Sequence, residues 1–169
     1  MLDPKVHAAL NEQIQHEMGS AYLYLAMAAH FEAANLVGSA KWMRQQAKEE
    51  VGHAMKFFDY VNDRDGRVTL GALPAPRGEY ATSVEVWEQA LAHEQKVTGL
   101  INKLVGTAQS AGDHATTAML QWFVSEQVEE EKTARSILEQ AQRIGTTSSA
   151  IYFLDRHLGK EADDRGKES

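Results

Sequence analysis

The chain has 169 residues and a formal net charge of −7, with seven histidines, three prolines and no cysteine. That length makes one domain able to bury a core without crosslinks, and the missing cysteine removes disulfide frameworks, iron–sulfur clusters and thiolate zinc sites. The acidic balance lacks any basic block, which argues against nucleic acid and suits cations.

The start MLDPKVHAAL lacks a secretory pattern, and no stretch nears 18 uninterrupted apolar residues. The expectation is a cytoplasmic protein without a membrane span. Asp3-Pro4, an N-cap followed by proline, opens a first helix that runs to about Asn35. A second runs from about Ser39 to Arg64, before Asp65-Gly66. Residues 66–81 have no helical pattern and are long enough to carry the chain along a bundle. Thr82-x-x-Glu85, a capping box, opens a third helix lasting to about Ser110. Asp113 caps a fourth, which ends near Arg143 before Gly145. After Thr146-Thr147-Ser148 a short apolar helix carries Ile151, Phe153, Leu154 and Leu158. It packs on its own bundle or joins copies of the chain. Two short turns flanking one long crossover predict an all-α, up-down four-helix bundle with a short fifth helix over residues 1–159. A polar, disordered tail is expected over 160–169.

The first half carries Glu17 and Glu50-x-x-His53; a shift of 77 residues lays Glu94 and Gln127-x-x-Glu130 at matching offsets. These residues interrupt apolar stripes at i, i+3, i+4, i+7 spacing. The stripes read Leu10, Ile14, Glu17, Ala21, Tyr24, Ala28, Phe31, then Met43, Ala47, Glu50, Ala54, Phe57, Val61. The third is Val84, Trp87, Leu91, Glu94, Val97, Ile101, Leu104. The fourth is Leu120, Val124 with Phe123 beside it, Gln127, Glu130, Ala134, Ile137, Ala141. Buried carboxylates cost several kcal/mol each unless paired, and these stripes contain no lysine or arginine. Glu17, Glu50, Glu94 and Glu130 carry charge that two divalent cations would balance. Carboxylates with one imidazole suit iron or manganese. One E-x-x-H is a weak signal, but four interruptions in register with repeated offsets are not.

With Tyr24, with Glu49 beside Glu50, and with Gln-Trp-Phe ahead of Glu126-Gln127-x-Glu129-Glu130, the chain resembles the bacterial non-haem ferritins. These are ferritin-like di-iron proteins, and the resemblance runs along essentially the whole chain. It implies that Glu17, Glu50 and His53 hold one iron. Glu50 then bridges to a second, held with Glu94 and Glu130, with Gln127 close by. Glu49, Glu126 and Glu129, with Glu130, resemble the ligands of a third iron on the cavity side. For those three a solvated acidic face competes, because Glu129-Glu130-Glu131 is also a simple charge run. The resemblance further implies ferroxidase chemistry, storage of ferric mineral and a shell of 24 subunits. Val51 stands where bacterioferritins have their haem-binding methionine, so haem is not expected.

In this reading dioxygen or peroxide bridges two ferrous ions, and each gives up one electron. Tyr24 either hydrogen-bonds a metal ligand or supplies an electron, against the equal alternative of an ordinary core tyrosine. Trp122, one turn before Glu126, either donates an electron or simply packs, and packing is the safer reading. Gly19, Gly52 and Gly99 lie inside helices at a cost of roughly 1 kcal/mol each, which close helix approach or room for ligands would explain. The competing functions are a non-storage di-metal oxidase or peroxidase and a structural bundle without chemistry.

Overall fold

The computed structural model describes residues 2–145 and 147–168; Met1, Thr146 and Ser169, the last two falling in the expected turn and tail, lie outside the described residues. Helix α1 (Pro4–Ala33) begins where the Asp3 carboxylate accepts from the backbone N–H of Lys5 at 2.8 Å and Val6 at 3.4 Å. Asn35 (φ 57°) ends it in the left-handed region, and Asp65 (φ 56°) does the same after α2 (Val37–Asp63). Helix α3 (Ser83–Ser110) starts with Thr82 Oγ1 accepting from Glu85 N at 3.2 Å. The Glu85 carboxylate reaches back to Ala81 N at 2.7 Å, closing the box one residue earlier than the motif describes. Asp113 caps α4 (His114–Ile144) by accepting from Thr116 N at 3.0 Å, and Arg64 grips the same carboxylate with two bonds of 3.1 Å.

The crossover runs along α1 for most of its length, pinned by a polar strip at helical spacing. His7 Nε2 meets Arg67 O at 2.8 Å, Asn11 Oδ1 accepts from Thr69 N at 2.7 Å, and Gln15 Nε2 donates to Ala72 O at 2.6 Å. Satisfying these backbone groups fixes the path of a segment that has no secondary structure of its own.

Helix α1 packs on α2 and on α3, and α3 packs on α4. Helices α2 and α4 meet through long side chains: Phe57 stacks on Phe123 with centroids 4.0 Å apart, and Tyr60 Oη lies 2.9 Å from Thr116 Oγ1. The interior divides into two apolar clusters. One gathers Tyr24, Met27, Phe31, Trp42, Trp87 and Ile137. The other gathers Leu10, Ile14, Phe57, Ile101, Leu120 and Phe123. Between them lies a polar layer, Glu17, Glu50, His53, Glu94, Gln127 and Glu130, all buried. The expected stripes are buried almost throughout; Val84, Leu91 and Val124 are only half-buried, and on α3 Val86 and Ala90 take the inner positions.

Two expectations change. Helix α5 spans Ser148–Glu168, so residues 160–168 are helical rather than a disordered tail. They are held because Leu158 and Ala162 are buried in the cluster of Trp42 and Trp87, Lys41 pairs with Asp163, and Arg165 pairs with Glu49. Nor does close approach explain the helix glycines: an added Cβ at Gly19, Gly52 or Gly99 meets nothing within 4 Å. The close approach is at Gly38, where a Cβ would stand 1.8 Å from the backbone oxygen of Asp155 on α5.

Candidate metal centre

Glu17 of α1, and Glu50 and His53 one turn apart on α2, bring their ligand atoms within 4.8 Å of one another. All three are at least 94 % shielded from solvent, at 1, 2 and 6 % exposure. Glu17 accepts from Gln13 Nε2 at 2.8 Å through one oxygen, while its Oε2 is buried with no hydrogen-bond partner. His53 Nδ1 lies 3.4 Å from Glu50 Oε2, and its ring is held edge-on by Trp122 and Phe123 at 5.4 and 6.0 Å.

The α3–α4 half completes the layer. Glu94 accepts from the Tyr24 hydroxyl and, at 3.2 Å, from Gln127 Nε2. Glu130 accepts from Gln46 Nε2 at 2.9 Å, and the same amide donates to Glu50 at 3.2 Å. Those donors, three amides and a phenol, are formally uncharged.

The electrostatic consequence is mutual strain among acids. Burial, then the Glu50 charge, raises Glu17 to about 8. Burial, then Glu94, raises Glu130 to about 7. Glu50 is pushed well above the usual range by burial, then by Glu94 and Glu130, and Glu94 is raised by burial despite the bonds from Tyr24 and Gln127. Without a cation the layer therefore holds protons that a metal would displace. An orphaned buried oxygen, one imidazole and four crowded carboxylates are a donor set for hard-to-borderline divalent ions.

Glu49, Glu126 and Glu129 lie elsewhere. With Glu130 they line a separate cavity of about 380 Å³, so Glu130 touches both regions. Trp122 is half-exposed, with Lys56 Nζ 3.3 Å above its ring centre. Sequence reasoning missed the residues that hold the layer carboxylates. Gln13 and Gln46 each sit four residues before a layer carboxylate, Glu17 and Glu50, so this Gln-x-x-x-Glu spacing was readable on both helices of the first half. Glu161 and Arg165, which join the acidic cavity from α5, carry no such local signal.

Residues 7–144 match the family model described as a ferritin-like domain. A bacterial non-heme ferritin of Staphylococcus saprophyticus is 38 % identical over 167 residues, covering 99 % of this chain and 100 % of that protein. A ferritin of Archaeoglobus fulgidus, described as an open pore ferritin, is 45 % identical with a TM-score of 0.93, covering 94 % of this chain and 98 % of its own. A form of it engineered to close gives the same identity and TM-score over 94 and 97 % of the two chains. The match spans the four helices that carry the buried layer as well as the crossover between them, and the chain belongs to the ferritin family.

Proposed function

We propose that this ferritin stores iron by oxidising it at the buried layer, with ferrous iron as substrate. Family membership supports iron storage and homo-oligomeric assembly. The observation that carries the oxidation step is the Glu17, Glu50 and His53 cluster with the partnerless Glu17 Oε2. In this reading those three residues hold one ferrous ion. Glu50 is shared with a second ion, held also by Glu94 and Glu130, while Gln127 and Tyr24 orient Glu94. Two ferrous ions give one electron each and become ferric; with two protons, dioxygen is reduced to hydrogen peroxide, or hydrogen peroxide to two waters. The carboxylates favour the ferric product because added metal charge is better matched by anionic oxygen. The protons that the raised carboxyls hold leave as metal enters, and the two apolar clusters keep bulk water from the layer.

Glu49, Glu126 and Glu129, with Glu130, form the onward site that takes iron toward the mineral. A shell of 24 copies and a cytoplasmic location belong to the same reading. No helix among the described residues is long and apolar enough to cross a membrane.

The test is anaerobic ferrous titration of the sized oligomer, followed by stopped-flow absorbance on mixing with oxygen. The intact protein should bind two tight equivalents and show a fast oxidation phase. His53→Ala should keep the assembly and slow that phase by on the order of 10–100-fold, the scale on which perturbing a metal site acts. An unchanged fast phase rejects the assignment of the first ion.

A further inference from the structure

The acidic cavity already contains a cation of the chain's own. Glu126, Glu129, Glu130 and Glu161 line it together with Glu49, and Arg165 from α5 enters the same space. Arg165 Nη2 pairs with the Glu49 carboxylate and also donates to Gln46 Oε1 at 2.9 Å. Gln46 is fully buried, and its amide nitrogen is the group shared between Glu50 and Glu130. A continuous set of hydrogen bonds therefore joins the last turns of α5 to two carboxylates of the metal layer. The guanidinium also lies over the Trp42 ring, with Cζ 5.1 Å from its centre, so the side chain is guided to one place.

We propose that Arg165 is a positioning and specificity residue of the iron centre: it fills the acidic cavity as a resident counter-cation, yields that place to an incoming metal ion, and through Gln46 couples the cavity to Glu50 and Glu130. The inference rests on the reading that this cavity takes metal. The guanidinium and a divalent ion repel each other and compete for Glu49, so only a cation able to outbid an ion pair at close range enters. When Arg165 leaves, Gln46 Oε1 loses its donor, and the amide whose nitrogen bonds Glu50 and Glu130 is no longer held from the cavity side. A metal in the outer cavity is thereby sensed at the inner layer, and the C-terminal turns of α5 loosen as it binds.

The experiment is anaerobic calorimetric titration of the assembled protein with Mn²⁺ alone, an oxygen-preferring probe, in the unaltered chain, Arg165→Gln and Arg165→Lys. Native mass and helicity confirm that each variant assembles. Two tight equivalents are expected throughout. The third should bind about tenfold more tightly in Arg165→Gln, the scale set by removing one partly shielded ion pair. Arg165→Lys, which keeps the charge, should restore weak third-equivalent binding; a purely structural role would make the two variants alike. Amide hydrogen exchange over 160–167 should accelerate when Mn²⁺ saturates the unaltered chain and should already be fast in Arg165→Gln. Equal third-equivalent affinity in the unaltered chain and Arg165→Gln, or exchange that ignores Mn²⁺, overturns the proposal. A missing third equivalent in all three proteins overturns it too, by removing the cavity as a metal site, while the first two equivalents still report on the inner layer.

Discussion

Burial lifts the Glu17 carboxyl to about 8, with the Glu50 charge adding to the rise. A carboxyl raised in this way binds its proton more tightly in the folded chain than in the unfolded one. Its contribution to stability is complete below the ordinary value of 4.5 and is lost as pH climbs through about 8. Glu130, at about 7, acts in the same direction over a lower window. The metal-free protein should therefore lose thermal stability between pH 5 and pH 9, and saturating Mn²⁺ should flatten the loss. Glu17→Gln keeps the shape and the acceptor for Gln13 but never ionises. At pH 9 without metal it should be more stable than the parent by on the order of 2–4 kcal/mol, while binding one metal equivalent fewer. A parent whose melting temperature is flat across this range would show that the layer is neither crowded nor dry. Residues at this scale divide by how local their signal is. The repeated Glu17/Glu50 and Glu94/Gln127 offsets were legible because polar residues that share one buried layer must interrupt their helix faces in register. Tyr24 was legible as a neighbour two turns from Glu17, but its partner, Glu94, is 70 residues away, so its bond was not.

The four long helices were legible because caps, breakers and apolar period are all local properties of the chain, and Asp3, Thr82 and Asp113 cap where the motifs place them. The length of α5 was not, because its last turns are polar by composition and their partners lie on α2, more than 110 residues earlier. Helix α2 has no side-chain cap of its own at Leu36. Asp155 of α5 supplies one from a distance: its carboxylate accepts from Gly38 N at 3.0 Å, Ser39 N at 2.7 Å and Ser39 Oγ at 2.8 Å. The negative charge also sits at the positive end of the α2 dipole. Only a glycine permits this docking, since a Cβ at Gly38 would meet the Asp155 backbone oxygen. Gly38→Ala should therefore cost about 1–3 kcal/mol, the usual range for overpacking, and should raise amide exchange across 148–167 while α1, α3 and α4 keep their protection. Gly99→Ala, with open space around the new methyl, should instead gain up to about 1 kcal/mol from helix propensity. Matching losses in both variants would remove close approach as the explanation.

Helix α5 turns different faces to its own bundle and to the outside, so packing on the bundle accounts for one apolar face and leaves the other open. Leu158 and Ala162 are buried against the bundle, whereas Tyr152 and Phe153 are 55 and 70 % exposed. On α1, Tyr22 and Leu25 are also half-exposed. Large apolar side chains left in water on a chain of net charge −7 have a physical reason to meet further copies, and closed symmetric assembly is the common outcome. All six residues of the buried layer come from one chain, so in the proposed reading the assembly serves containment of the product and not the ligand set. Oxidation and storage should then separate by mutation. Phe153→Asp adds a charge to the outer face of α5 without touching Leu158 or the layer. It should leave helicity and the first two Mn²⁺ equivalents unchanged, while the dominant species in native mass spectrometry, which the proposed shell of twenty-four 18.7 kDa chains puts at about 450 kDa, falls to small oligomers. Fast ferrous oxidation should persist in those small species, and the ferric product should precipitate instead of staying in solution. A variant that keeps the full mass places the subunit contacts elsewhere, and one that loses fast oxidation along with its mass would show that the centre needs a neighbouring chain.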